Sequence, residues 1–443
     1  MEEVRKEVAG LLGVLSGGWE KSGFIDLEAS ERATRSAMHR AGAKVLSGLL
    51  KQGPPEQREI PCGCGGRAKY VDLRPKRILT VVGDVQVHRS YYLCSDCHKG
   101  QAPLDRELDI EGVEMSPGVR RMAAVVGNQS AFEAGRNQLK LLADLDVTAK
   151  AVERYSEAIG ADIGRREKDY RRKALSPEPP LSVAEEIGTM YVEMDATSVP
   201  MVTREVEDRA GREPGQRARS REAKLGCVFT QTTVDEDGYP IRDEASTTYT
   251  GAIETAEEFG RRMYAEAYRR GCCSAPRLVV LADGAPWIWI LAALHFPQAI
   301  QIVDLYHARK HLWDLAATLF SDTKPRSRWV KRVQRILDAG RIEALVRVLR
   351  KFPAPDQQTA DALRIEADYF ERNANRMRYA KFKREGLFVG SGVIEAGCKT
   401  LIGSRLKQSG MFWTLRGANS IIQLRCCLLS GNFEDYWTSR LAA

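Results

Sequence analysis

Long apolar runs are missing from this chain. No stretch reaches the roughly 18 consecutive apolar residues of a membrane-spanning helix, so there is no candidate for a helical membrane span and no membrane partner is expected. The first residues, MEEVRKEVAG, lack the basic, apolar and small-residue sections of a secretory signal, and the expectation is a cytoplasmic protein. A disulfide framework is missing too. Of ten cysteines, four are clustered with ligand spacing, and the others include the adjacent pairs Cys272-Cys273 and Cys426-Cys427 in apolar or helical context. That usage fits a reducing compartment and a metal site. What the chain has in excess is positive charge. The formal net charge is +8 and the pI about 8.9, which favours an anionic partner. A length of 443 residues leaves room for two or three domains with a large core.

Residues 1–52 form an N-terminal segment with Val4, Val8, Leu11, Leu12 and Leu15 at helical spacing, which reads as a packing or oligomerisation helix. The glycine and prolines of QGPPEQ, residues 52–57, mark a linker or turn. In the module at 53–112, PCGCGG supplies Cys62 and Cys64, and YYLCSDCHKG supplies Cys94 and Cys97. Between the pairs, residues 78–82 and 84–89 meet at Gly83 as a hairpin would. Two close thiol pairs on two turns suit tetrahedral zinc in a zinc-ribbon-like arrangement, with His98 as a possible substitute for one cysteine. Four thiolates close the shell, so the metal would be structural.

The region 113–180 reads as helical. Residues 139–143 pack, Asp144-Leu145-Asp146 turns, and Thr148 can cap a helix running AKAVERYSEAIG. This is a helix-turn-helix pattern whose second helix presents Lys150, Glu153 and Arg154 near its start, where such helices meet bases or phosphates. A basic run, RREKDYRRKALSPEPP, and its prolines place a domain boundary near 175–188.

The last domain, 186–443, opens with a strand that ends at Asp195. A charged, glycine-bearing stretch at 204–224 reads as an exposed hairpin loop, and 225–231 and 246–253 as the next two strands. An amphipathic helix over 254–270 leads to RLVVLADGAPWIWILAALHFPQAIQIVDLYHARKH, which reads as strand, helix, strand, helix. Trp287, Ile288, Ile290, Leu291 and Leu294 give the first of those helices its apolar face. The two strands stop at Asp283 and Asp304, at carboxyl ends where open α/β sheets place their chemistry. Three meandering strands followed by helix-connected ones match a ribonuclease H-like α/β sheet. In that sheet the first and fourth strands are neighbours, which would bring Asp195 beside Asp283.

Residues 308–386 read as a helical insertion. Within it, 324–351 carries ten Lys/Arg against two Asp/Glu, an imbalance that suits a phosphate-binding surface through Arg328, Lys331, Arg332 and Arg335. The sheet domain resumes at 387. Gly390-Ser391-Gly392 starts a helix with Glu395 in its first turns, and Lys399, Arg405, Lys407 and Arg416 follow. Three carboxylates from two strand ends and a helix can surround Mg²⁺, or Mn²⁺, and two such ions can activate an attacking oxygen and stabilise a leaving one.

The motifs VEMDATSVPM, LADGAPWIWILAALHFPQAIQIVDLYHARKHLWD and FVGSGVIEAGCKTLIGSRLKQSGMFW resemble those of bacterial insertion-sequence transposases of the ISKra family, in the mutator-like group of Asp-Asp-Glu transposases. The PCGCGG … LCSDC … PLD pattern is similar to that family too, and the likeness runs from about residue 60 to the C-terminus. It implies a catalytic triad of Asp195, Asp283 and Glu395, and it matches Asp304 and His307 to an Asp-x-x-His that follows the second catalytic aspartate, where they would orient the neighbouring helix or the metal's outer shell. The implied activity is transposition: binding the element's terminal inverted repeats, metal-dependent strand cleavage and transfer to target DNA. Lys399, Arg405 and Lys407 would lie near the cut phosphates. The protein would act on the nucleoid as a homo-oligomer. A nuclease that cuts without joining, and a non-enzymatic zinc-dependent DNA-binding protein, are the alternatives.

Overall fold

The computed structural model describes residues 26–51, 53–181, 187–211 and 216–440, with residues 5, 6, 9, 10 and 13. The apolar positions read as an N-terminal helix, Val4, Val8, Leu11, Leu12 and Leu15, lie outside the described residues. Among the described residues no helix is long and apolar enough to cross a membrane. The chain divides into two compact units, residues 1–157 and 158–440.

In the first unit, helix α1 (Leu27–Leu49) starts at Asp26, whose carboxylate accepts the Ala29 N–H at 3.0 Å. A four-stranded antiparallel sheet follows in the order β1 (Glu59–Pro61), β2 (Arg67–Thr80), β3 (Gly83–Cys94), β4 (Gly100–Gln101). The β2–β3 hairpin turns at Gly83, where φ is +99°, a region that glycine enters without a Cβ clash. Ala43 of α1 packs with Ile78, Val85, Val87, Leu104 and Ile110 in a buried cluster. Helices α2 (Pro117–Gln129), α3 (Phe132–Ala143) and the start of α4 (Ala149–Ala174) share a second one around Val119, Leu139, Leu145 and Val152.

The second unit is built on a five-stranded sheet. Its strands are β5 (Thr189–Pro200), β6 (Ser220–Gln231), β9 (Thr248–Ala252), β10 (Arg277–Ala282) and β11 (Ile300–Val303), in the order β11-β10-β5-β6-β9. A separate ribbon pairs β7 (Thr233–Val234) with β8 (Pro240–Ile241). Strand β10 runs parallel to β5 and β11, β6 is antiparallel to β5 and β9, and helix α5 (Ala256–Arg269) links β9 to β10. The first and fourth strands of the sheet's meander-then-helix pattern are therefore neighbours. Met190, Tyr191, Val192, Val279, Val280 and Leu281 are fully buried, as central strands covered on both faces require.

Four expectations need correction. Asp195 does not end its strand: β5 continues to Pro200, because beyond the last parallel partner, Met194 opposite Ala282, the strand keeps its antiparallel ladder with β6. For the same reason the charged stretch is shorter as a loop, since β6 already begins at Ser220. In helix α6 (Pro286–His295) the buried face is Ile288, Trp289, Leu291 and Ala292, while Ile290 and Leu294 are 66% and 65% exposed. WIWILAAL is apolar all round, so periodicity could not choose a face. Finally, the units divide inside α4, between Glu157 and Ala158, and not at 175–188. The later part of α4 belongs with the second unit: a Cβ on Gly160 would stand 1.9 Å from the Ser420 carbonyl oxygen, and Tyr436 donates to Asp162 at 3.0 Å.

Between β11 and residue 392 the chain is mainly helical, with α7 (Leu305–Leu319), α8 (Thr323–Asp338), α9 (Ile342–Arg350), α10 (Gln357–Arg372) and α11 (Tyr379–Arg384). The helical run 392–406 follows. It is α-helical over Gly392–Gly397, π-helical over Cys398–Gly403 and α-helical again over Ser404–Leu406.

Candidate active site and cysteine cluster

The register of the parallel pair builds the centre of the larger site. Ala282 lies opposite Met194, so the next residue of each strand, Asp283 and Asp195, leaves the pair at the same level. Asp283 turns the chain at once: its Oδ1 accepts the Ala285 N–H at 2.9 Å. Asp195 Oδ1 accepts the Ala196 N–H at 2.7 Å. Asp195, Asp283 and Glu395 all line one cavity of about 410 Å³, together with His307, Cys398 and Lys407. Burial pushes the Asp195 carboxyl above its ordinary range, and the charge of Asp283 adds to the push. Asp195, Asp283 and Glu395 thus bring carboxylate oxygens, the ligand type a hard divalent ion takes, to one cavity.

Asp304 sits elsewhere. It is buried and caps α7, accepting the His307 N–H, and it also accepts the Ser391 N–H and, at 3.0 Å, the Ser391 hydroxyl. Its carboxylate thus ties the start of α7 to the start of the Glu395 helix. Close approach explains a glycine here, since a Cβ on Gly390 would stand 2.8 Å from the Tyr306 ring.

Two residues that sequence reasoning missed complete this wall. Glu193, two positions before Asp195 on β5, is fully buried and accepts the Ile394 N–H at 2.9 Å. Burial pushes its carboxyl up to about 8, so it is mostly neutral at neutral pH. Asp304 and Glu193 therefore satisfy two of the unpaired N–H groups at the start of the helix that carries Glu395. The second is Cys398, which lines the cavity with Asp195 and whose thiol is raised by burial and by the Asp195 charge. The alternation of β5 gives Glu193 and Asp195 the same face, a signal available in VEMD; nothing local marks Cys398.

The candidate phosphate-binding residues separate. Lys407 is exposed at the cavity and donates to the Thr197 hydroxyl. Lys399 is exposed, 3.9 Å from Glu395. Arg405 is a correction: it is fully buried, with its guanidinium 5.1 Å from the centre of the Trp413 ring, so it packs the unit and has no route to a phosphate. Arg328, Lys331, Arg332 and Arg335 are all exposed along α8, and none of them makes an ion pair among the described residues. Lys150 is exposed and pairs with Glu153 at 3.0 Å; Arg154 lies over the Tyr155 ring at 4.8 Å. The turn before them has the expected cap, with Thr148 Oγ1 accepting the Ala151 N–H at 3.1 Å.

In the first unit, the sulfurs of Cys62, Cys64, Cys94 and Cys97 all lie within 4.8 Å of one another. Cys62 and Cys97 are 3.6 Å apart, Cys64 and Cys94 3.7 Å. Bonds of about 2.3 Å to a tetrahedral zinc put sulfurs about 3.8 Å apart, so the thiols fit that ion. Two tight turns present them. Cys62 N–H bonds to Gly66 O at 2.9 Å, and His98 N–H to Cys94 O at 3.0 Å. His98 is not a member of the cluster; it takes the left-handed turn position, with φ +54°.

No protein-family model matches the chain, and no curated protein matches it. Among solved structures, a Drosophila P element transposase strand transfer complex is similar over 75% of this chain and 83% of that chain, at 9% identity and a TM-score of 0.25. At that score the likeness carries no argument about fold or function.

Proposed function

We propose that this chain is a DNA transposase with a ribonuclease H-like catalytic domain interrupted by the helices of 308–386, as its resemblance to the ISKra family implies. One observation carries the reading: neighbouring parallel strands deliver Asp195 and Asp283 to the same level, and Glu395 lines the same cavity. The strand order, with the fourth strand beside the first, supports the fold assignment.

Asp195, Asp283 and Glu395 would hold Mg²⁺ or Mn²⁺. When bound, such ions activate an attacking oxygen and stabilise a leaving one in phosphodiester chemistry. The chain's own residues do the positioning. Asp304 and Glu193 fix the Glu395 helix, and Lys407 offers a cation to a phosphate at the cavity. Exposed cations on α8, and Lys150 and Arg154, would contact DNA further away. Zinc on the four thiols would fix the hairpin module. The substrates would be the element's terminal inverted repeats and target DNA, with the protein acting as an oligomer.

The test is to incubate the protein with Mg²⁺ and duplexes ending in the inverted repeats that flank its gene, and to analyse the products. Cleavage followed by joining of 3′-hydroxyls to a second DNA is the expected result. Cleavage without joining would make it a nuclease, and binding without cleavage a zinc-dependent DNA-binding protein.

A further inference from the structure

Beyond Asp195 the sheet narrows to a two-stranded arm. β10 pairs with β5 only as far as Met194, and β9 pairs with β6 only from Lys224 on. Residues 197–200 and 220–223 therefore pair with each other alone. The arm is braced at its far end. Val202 N–H bonds to Trp413 O at 3.0 Å, and Glu205 Oε1 accepts the Leu415 N–H at 3.1 Å. Further out the chain pairs again: Ala218 N–H bonds to Arg209 O at 3.1 Å, and Gly211 N–H to Gln216 O at 2.7 Å.

This arm borders a groove of about 430 Å³. Its lining combines small side chains, such as Ala196, Ser198 and Ala210, with Arg209, Arg217 and Arg219. The three arginines are exposed, and none of them makes an ion pair among the described residues. Glu222, on the same wall, is already matched by Lys224 at 3.0 Å, so it does not neutralise them. Guanidinium groups present a planar fork that fits phosphate oxygens, and small neighbours let a sugar-phosphate chain come close. No aromatic ring is among the lining residues, so bases have nothing there to stack on. The groove suits a backbone and not a base. Its place is set by Thr197, which lines both this groove and the carboxylate cavity and whose hydroxyl accepts from Lys407. Lys407 and the three arginines thus mark a cationic path that begins at the carboxylates.

We propose that the arm's groove holds the phosphodiester backbone of the strand to be cut, over the few nucleotides that leave the carboxylate cavity past Thr197. The inference rests on the transposase reading and deepens it, because it says where the strand runs. Phosphate contacts fix register without reading sequence. A strand gripped at several phosphates on a braced arm cannot slide, so the arm would set which phosphate meets the carboxylates.

The test pairs a protein change with a DNA change. Duplexes carrying the inverted repeats are made with one phosphate at a time replaced by a neutral methylphosphonate, in either strand. Binding is compared for the wild type, for Arg209→Ala, Arg217→Ala and Arg219→Ala, and for the triple variant. At successive phosphates on one side of the cut, in the cut strand, the wild type should lose roughly tenfold in affinity, the scale of one charge-assisted hydrogen bond. The triple variant should lose nothing more at those positions, and each single variant should be insensitive at one of them. The triple variant should also lower the slope of log binding constant against log salt by about 2 to 3, and its cuts should scatter to neighbouring phosphates. The single variants each remove one exposed side chain, so they give the position-by-position reading even if the triple variant is unstable. The same methylphosphonate profile in every variant, in a protein that binds and cuts, would overturn the inference and leave the transposase reading intact. Sensitivity that appears only on the second DNA, during joining, would assign the groove to target DNA and overturn it too. A wild-type protein that neither binds nor cuts the ends would overturn both.

Discussion

The cysteine cluster and the carboxylate cavity are both candidate metal centres, and they are assembled in opposite ways. The four thiols come from one hairpin, two from each of two tight turns at its open end. Their geometry is set by nearby backbone hydrogen bonds, and it would survive much disturbance elsewhere. The three carboxylates come from β5, from the end of β10 and from a helix more than 100 residues further on. Their convergence depends on one parallel register and on two buried acids, Glu193 and Asp304, that hold the helix start. Four thiols would close the shell of an ion, as a structural site does, whereas the carboxylates border an open cavity.

The largest expected effects are at the carboxylates. Asp195→Asn, Asp283→Asn and Glu395→Gln should each take Mg²⁺-dependent cleavage below detection while gel-shift binding of the DNA ends persists. Asp304→Asn should only slow cleavage, because an amide keeps one acceptor for three donors. If Asp304→Asn abolished cleavage and Asp283→Asn did not, the assignment of the second aspartate would be wrong.

The cysteine cluster should respond in stability and metal content. Protein purified without added zinc should hold one zinc per chain by elemental analysis, and Cys94→Ser should lose it. Structural zinc contributes folding free energy, so the hairpin of that variant should become protease-sensitive while residues 158–440 stay protected. Full zinc occupancy in the variant would exclude the four-thiol shell.

A smaller effect separates the helix anchor from the site it supports. Glu193→Ala leaves the Ile394 N–H buried without an acceptor, a cost of about 1–3 kcal/mol. Cleavage should fall and require more Mg²⁺ for half-maximal rate. Glu193→Gln keeps an acceptor and resembles the neutral acid, so it should restore most of the rate and the Mg²⁺ dependence. Equal losses in both variants would mean that the charge matters and the hydrogen bond does not. The smallest change concerns α8. Replacing Arg328, Lys331, Arg332 and Arg335 by Ala should lower the slope of log binding constant against log salt by about 3 to 4, if each holds one phosphate. An unchanged slope would make them a solvated face.

What the sequence disclosed follows the same division. The thiol pairs and the glycine turn between them are adjacent in the chain, so spacing alone exposed the hairpin and its cluster. Asp283 was legible because a short apolar strand ends there, and the strand-helix order was enough to set it beside Asp195. The extension of β5 past Asp195 was not legible, since its partners are on β6 and at Trp413, whose N–H bonds to Pro200 O at 3.1 Å. Arg405 misled for a similar reason: a cation in a basic run gives no sign that Trp413 will cover it. Glu193 and Cys398 act through tertiary contacts to Ile394 and Asp195, which no local pattern announces.

The π-helical segment at 398–403 amounts to an α-helix with one residue too many. Each residue of an α-helix turns the chain by about 100°, so this surplus rotates everything after Gly403 by that angle relative to Glu395. Lys407, just past the end of this helical run, donates to Thr197 at the cavity. Deleting one residue between 398 and 403 would ease the helix into regular geometry and swing Lys407 away from the strand. A helix repaired in this way would be the better helix and the poorer active-site wall, so a single-codon deletion there is a length change that selection for activity should refuse.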